Sequence, residues 1–137
     1  MKKVFLDTNV FLRFFVPEDE TSFKLSKNLL SLIQEGSLIP YTSNIVFLEC
    51  YFVLTRTYKF PREKVSNALL QIAAMRNMTI IEKTNTKKAL KFWQETGVKL
   101  ADCLIATQIG KGIPLCTYDT EFKKFPFLSV VTPERVV

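Results

Sequence analysis

Five short apolar runs, near residues 3–7, 38–41, 78–81, 115–117 and 128–131, alternate with longer segments whose apolar residues recur at helical period. Parallel strands can be joined only by a crossover, which is usually a helix, so this alternation requires βαβ units and a sheet covered on both faces. The punctuation agrees. Pro17-Glu18-Asp19 breaks the first helical stretch, Gly36 ends a helix before the second strand, and Ser43 is placed to cap a long helix. Pro61 suits the first turn of another helix running to about Asn77. Thr84 or Thr86 is expected to cap a helix ending at Gly97, and a further helix over about 99–109 stops at Gly110 or Gly112. The expected fold is α/β, with a mostly parallel five-stranded sheet and helices on both faces. The 137 residues suffice for one core, and no repeat or linker divides them, so 1–137 is read as a single domain.

Four acids sit in this pattern where apolar residues belong. Asp7 ends Val4-Phe5-Leu6, Glu49 interrupts Ile45-Val46-Phe47-Leu48, Asp102 lies within Leu100-Ala101-Asp102-Cys103-Leu104-Ile105, and Asp119 closes Leu115-Cys116-Thr117-Tyr118. Removing an ionised carboxylate from water costs several kcal/mol or more unless a partner compensates it. Asp7 and Asp119 fall at the C-terminal ends of predicted strands, the edge where open α/β sheets bind ligands. Glu49 shares a helical face with Ile45, Val46, Phe52 and Val53, and Asp102 with Ile105, Ala106 and Ile109, so both are expected to point at the sheet. Each acid also has an ordinary explanation. Asp7 is a candidate N-cap, Asp119 a turn residue, Asp102 a complement to its helix dipole, and Glu49 a partner for Arg56. Their joint occurrence on converging elements favours one site around a cation.

The residues that are missing narrow the chemistry further. With no histidine, imidazole catalysis and the usual nitrogen ligands of zinc are excluded. A metal must then be held mainly by oxygen, which favours Mg²⁺ or Mn²⁺. The three cysteines lie far apart in apolar segments and read as small buried hydrophobes. The densest apolar run, 45–54, carries Glu49 and is too short for a bilayer, while Asp7 leaves no room for a signal-peptide core, so a cytoplasmic protein with no membrane contact is expected.

Net charge is +6, and setting the four embedded acids aside leaves 9 acidic residues against 19 basic ones. An acidic pocket in a basic surface suits a polyanion held by its phosphates. Lys83, Lys87 and Lys91 recur every fourth residue and form either a cationic stripe or a solvated helix face. Lys123 and Lys124 flank the Asp119 segment and are candidate phosphate contacts.

Taken in order and spacing, Leu6-Asp7-Thr8-Asn9-Val10-Phe11-Leu12, Phe47-Leu48-Glu49, Leu100-Ala101-Asp102-Cys103-Leu104-Ile105-Ala106 and Thr117-Tyr118-Asp119 resemble the PIN-domain nucleases, in particular the VapC-type toxin branch. The resemblance spans about residues 3–132. It implies a PIN-like domain whose Asp7, Glu49, Asp102 and Asp119 form an acidic quartet holding Mg²⁺ or Mn²⁺. Asn9 and Thr117 match positions that support such a site by hydrogen bonding. It implies a metal-dependent endoribonuclease that hydrolyses RNA phosphodiester bonds, forms a homodimer and is held inactive by an antitoxin. Cys103 stands where relatives commonly carry a small residue, and no acid is missing. Phe11, Phe14 and Phe15 are candidates for partner contacts or for core. Competing readings are a PIN nuclease acting on DNA or in RNA processing, and a non-catalytic RNA- or protein-binding module. A phosphatase of the haloacid-dehalogenase type fits less well, since Asn9 stands where its second Asp belongs.

Overall fold

The computed structural model describes residues 2–136. Its strands are β1 (Lys2–Leu6), β2 (Leu38–Ser43), β3 (Thr79–Ile81), β4 (Leu115–Cys116) and β5 (Val130–Val131). They form one sheet in the order β3-β2-β1-β4-β5, and every neighbouring pair is parallel. The central register sets Phe5 beside Tyr41 on one side and Leu115 on the other. Pro40, which has no N–H to donate, lies one residue before β3 begins to pair with β2 at Tyr41, so the missing donor meets no third strand.

The helices are α1 (Thr8–Phe15), α2 (Glu20–Gln34), α3 (Asn44–Phe52), α4 (Arg62–Ala73), α5 (Thr86–Thr96), α6 (Leu100–Gln108) and α7 (Pro133–Val136). Asp19 caps α2 by accepting from the Ser22 N–H, and the Ser43 hydroxyl oxygen accepts from the Ile45 and Val46 N–H groups at the start of α3. Gly97 ends α5 in the left-handed conformation at φ 70, which a side chain would oppose. Several boundaries differ from expectation. Asn85, not Thr84 or Thr86, caps α5: its side-chain oxygen accepts from the Lys88 N–H at 3.1 Å. Pro61 occupies the cap position of α4 instead of its first turn, and that helix stops at Ala73, short of Asn77. A π-helical turn (Val53–Thr57) extends α3, and a 3-10 turn (Thr120–Lys124) follows β4. Neither has a periodicity signature long enough to read from sequence.

The core gathers Val4, Phe5 and Leu6 with Phe11, Ile105, Leu115 and Phe122. All three cysteines are free and buried, as their apolar settings suggested. Phe11 is core, and Phe14 stacks on Phe23 at 5.9 Å, so these rings pack within the chain. No helix among the described residues is long and apolar enough to cross a membrane.

The strand order decides where a site can form. From β1 the chain steps to β2 and β3 on one side, then returns across the sheet to β4 and β5 on the other. Right-handed crossovers place the connections of these two halves on opposite faces, which opens a crevice at the C-terminal ends of β1 and β4. Because Ser43 fixes the start of the helix that carries Glu49 into this crevice, Ser43→Ala is expected to cost about 1 kcal/mol. A lower urea midpoint with an unchanged slope is the expected readout.

Candidate functional site

Asp7 is the first residue beyond β1. It stands at the cap position of α1 but makes no side-chain cap bond. Its carboxylate turns toward β4 instead, where Oδ2 accepts from Thr117 Oγ1 at 2.7 Å and, more weakly, from Asn9 Nδ2 at 3.4 Å. Thr117 is the first residue after β4. Its hydroxyl oxygen also accepts from Asn9 Nδ2 and from the Asp119 N–H, each at 3.0 Å, while Asn9 Oδ1 accepts from the Tyr118 N–H at 3.1 Å. Asn9 and Thr117 thus join the two strand ends that flank the crevice. Asp7 is only 3% exposed, and its Oδ1 has no hydrogen-bond partner.

Glu49 and Asp102 reach the same place from α3 and α6. Glu49 Oε1 accepts from Thr8 Oγ1 at 2.8 Å, and Oε2 accepts from Lys99 Nζ at 3.4 Å. Lys99 Nζ also lies 3.8 Å from Asp102 Oδ1. Asp102 is 2% exposed, and its Oδ2 has no partner. One ammonium therefore stands between two carboxylates supplied by different helices. Arg56, the other candidate partner for Glu49, lies over the Phe52 ring at 4.7 Å.

The electrostatics follow from this crowding. Burial lifts the Asp7 carboxyl to about 6, although the Thr117 hydrogen bond pulls the other way. Burial also lifts Asp102, to about 8, against the pull of Lys99 and with help from the charges of Asp7, Glu49 and Asp119. Burial lowers Lys99, but the Asp102 and Glu49 charges outweigh it and hold the ammonium above the usual lysine value. Burial and the neighbouring acids thus push Asp102 toward its protonated form, while Lys99 pulls it the other way.

Asp119 stands slightly apart. Its Oδ1 accepts from the Glu121 N–H at 2.9 Å and caps the 3-10 turn, so its ordinary reading as a turn residue holds, while its charge is still felt at Asp102. A cavity of about 290 Å³ beside it is lined by Thr117, Asp119, Lys123 and Arg135 among others. Lys124 pairs with Glu121 at 3.0 Å, which leaves Lys123 as the better placed of the two lysines. Sequence reasoning missed Lys99 altogether. Its position three residues before Asp102, one helical turn away, was the available signal.

Among the described residues no three acidic or cysteine side chains close tightly enough to hold a metal ion. The donor set nevertheless fits a hard divalent cation: every candidate ligand is a carboxylate oxygen, and two of the buried ones lack any partner. A cavity of about 660 Å³ lies elsewhere, lined by Phe47, Tyr51, Phe60 and Leu69 among others, with no acid in its wall.

A family model described as the PIN domain matches residues 4–128. A search of curated proteins found no match. Among solved structures, the chain resembles VapBC2 from Rickettsia felis bound to a DNA fragment from its promoter, at 20% identity and TM-score 0.62, over 95% of this chain and 98% of that one. A toxin–antitoxin complex from Klebsiella pneumoniae matches at 20% identity and TM-score 0.65, over 95% and 97% respectively. VapC20 from Mycobacterium tuberculosis, a Sarcin-Ricin loop cleaving toxin, matches at 18% identity and TM-score 0.64, over 93% and 98%. At such identities these likenesses bear on the fold.

Two outcomes are expected of the site without metal. Asp7 and Asp102 hold protons in the folded chain that they release at about 3.8 once unfolded, so stability should fall as pH rises from about 4 to about 8. One pKa unit corresponds to about 1.4 kcal/mol, so Asp102→Asn should be at least about 1 kcal/mol more stable than wild type in EDTA at pH 8, by urea melts. Lys99→Met removes the counter-charge. It should lower metal-free stability at the same pH yet tighten Mn²⁺ binding by calorimetry, and unchanged Mn²⁺ affinity would show that the ammonium does not compete for the site.

Proposed function

The chain belongs to the PIN-domain family, and from that premise we propose that it is a metal-dependent endoribonuclease, the toxin of a toxin–antitoxin pair. The observation that carries this reading is the meeting of Asp7, Glu49 and Asp102 at the crevice of the sheet, with two buried carboxylate oxygens unpartnered and Lys99 among them. Asp7 and Asp102 would hold Mg²⁺ or Mn²⁺ through those oxygens, with Glu49 and Asp119 completing the set. The bound ion would supply Lewis acidity and lower the pKa of water, which allows hydrolysis of a phosphodiester at neutral pH.

The remaining work falls to residues of the chain. Thr117 holds Oδ2 of Asp7 and leaves Oδ1 without a hydrogen-bond partner. Thr8 holds Oε1 of Glu49 while Oε2 faces the Lys99 ammonium, so once Lys99 moves away this side chain can orient the attacking water. Lys99, with 62% of its side chain exposed, can move from the carboxylates to a nonbridging phosphate oxygen once the divalent ion takes its place. The basic excess outside the site, with Lys123 nearest to Asp119, would hold the strand by its phosphates.

A protein partner is supported by the apolar cavity between α3 and α4, whose lining includes Tyr51 and Leu70, 43% and 63% exposed. Exposed apolar side chains around a cleft of this kind mark an interaction surface. An antitoxin segment or a second copy of the chain fits it, and two of the structural likenesses are toxin–antitoxin assemblies by name.

The test is cleavage of mixed cellular RNA, with single-stranded DNA alongside, in Mg²⁺, Mn²⁺ or EDTA. Wild type should cut RNA only with metal. Asp7→Asn should reduce cutting to background while keeping RNA affinity. Cutting by Asp7→Asn at the wild-type rate, or cutting in EDTA, would end the assignment.

A further inference from the structure

The helix that delivers Glu49 to the crevice carries a second pair of groups on the same stripe. Glu49, Phe52 and Arg56 recur at i, i+3 and i+7, so they line up along α3 and the π-helical turn that continues it. Phe52 stands one turn beyond Glu49, and Arg56 lies about 10 Å from Glu49 along the axis. Phe47, Tyr51 and Thr55 occupy the neighbouring stripe, which lines the apolar cavity. Phe52 and Arg56 therefore form a surface of their own, continuous with the acidic crevice.

Three features of this surface fit a nucleotide. The first is the Phe52 ring, 39% exposed, with the Tyr51 ring packed edge-on against it at 5.4 Å. A braced aromatic ring open to water offers a π-face on which an unpaired base can stack. The second is Arg56, the residue expected from the sequence to pair with Glu49. Its guanidinium lies instead over the Phe52 ring at 4.7 Å, is exposed, and makes no ion pair among the described residues. The ring restrains a long side chain whose forked N–H groups have no carboxylate to meet, which suits them to a phosphate. The third is the backbone. The Tyr58 N–H donates to the Val53 carbonyl at 3.1 Å, the i→i+5 bond of a π-helix. Such turns are rare and are found frequently at functional sites, and this one contains Arg56. Charge favours a polyanion here, since Glu49 is the only acid on the stripe and the exposed Lys99 ammonium stands beside it.

We propose that Phe52 and Arg56 form a nucleotide subsite next to the acidic crevice, in which an unpaired base of the RNA stacks against the Phe52 ring and Arg56 binds an adjoining phosphate. The proposal rests on the ribonuclease reading above and adds the path of the strand, out of the crevice past Glu49 and along α3. Arg56 is too far from Glu49, at about 10 Å, to share the scissile phosphate, so it holds a flanking one. The nucleotide next to the cut must be unpaired, because a base stacked inside a duplex cannot turn its face to the ring.

The test uses the whole chain in EDTA, where no cutting is expected. Binding of a short fluorescent RNA, either single-stranded or annealed to its complement, is followed by anisotropy across a salt series. Phe52→Leu keeps apolar bulk but removes the π-face, so single-strand affinity should fall about tenfold with the salt slope unchanged. Phe52→Tyr should bind like wild type. Arg56→Ala should weaken binding and flatten the logarithmic salt slope by about 0.7, the equivalent of one phosphate contact. Duplex binding should not respond to Phe52→Leu. Both side chains are exposed, and urea midpoints verify that the variants fold. Unchanged single-strand affinity and slope in Phe52→Leu and Arg56→Ala would overturn the subsite, and the ribonuclease reading would stand if wild type still cuts RNA with Mn²⁺. Equal losses on single strand and duplex would overturn the stacking role. A changed oligomeric state by light scattering, with RNA affinity intact, would assign the surface to a protein interface and overturn the proposal. Wild type that neither binds nor cuts RNA would end both the subsite and the reading beneath it.

Discussion

An ionised carboxylate taken out of water must find a compensating charge or a proton, and three such groups meet at one end of this sheet. The rest of the site follows from how that demand is met. Asp102 is driven toward its protonated form, Asp7 is held by a hydroxyl on the neighbouring strand, and Glu49 shares the Lys99 ammonium with Asp102. A lysine is a weak substitute for a divalent ion. It brings one charge, keeps much of its own hydration, and leaves a buried oxygen on Asp7 and another on Asp102 without partners. The arrangement is consistent with a site whose carboxylates are fully satisfied only by a stronger cation.

The position of the crevice comes from topology. β1 and β4 are neighbours whose onward connections leave in opposite directions, so their C-terminal ends are left uncovered. Asn9 and Thr117 bridge that gap through short side chains, and the Tyr118 and Asp119 N–H groups join the same network. This network ties residues more than 100 positions apart in the chain. It also explains why Asp7, at a helix cap position, does not cap: its carboxylate is committed across the sheet.

Much of this was legible in the residues. Ser43 ahead of a helical run and the αL glycine at position 97 each carry a local physical signal and take the expected place, and Asp7 and Asp102 are buried as their apolar settings implied. Other features had no local signal. Asn85, Thr84 and Thr86 are all competent caps, and only the path of the chain from β3 into α5 selects Asn85. Lys99 reads as an ordinary surface residue until α3 is packed against α6. Asp119 shows the converse, since a strong strand-end signal proves to include an ordinary capping duty.

By itself the sequence determined the βαβ alternation, the acids that must be compensated, and the absence of nitrogen ligands, because periodicity and burial of charge are local properties of residue type. Only the tertiary structure decided which of those acids share one counter-charge and which hydroxyls hold them. Those relations depend on distances between α3, α6 and the ends of β1 and β4, and the order in which strands join the sheet, not the order of residues in the chain, sets such distances.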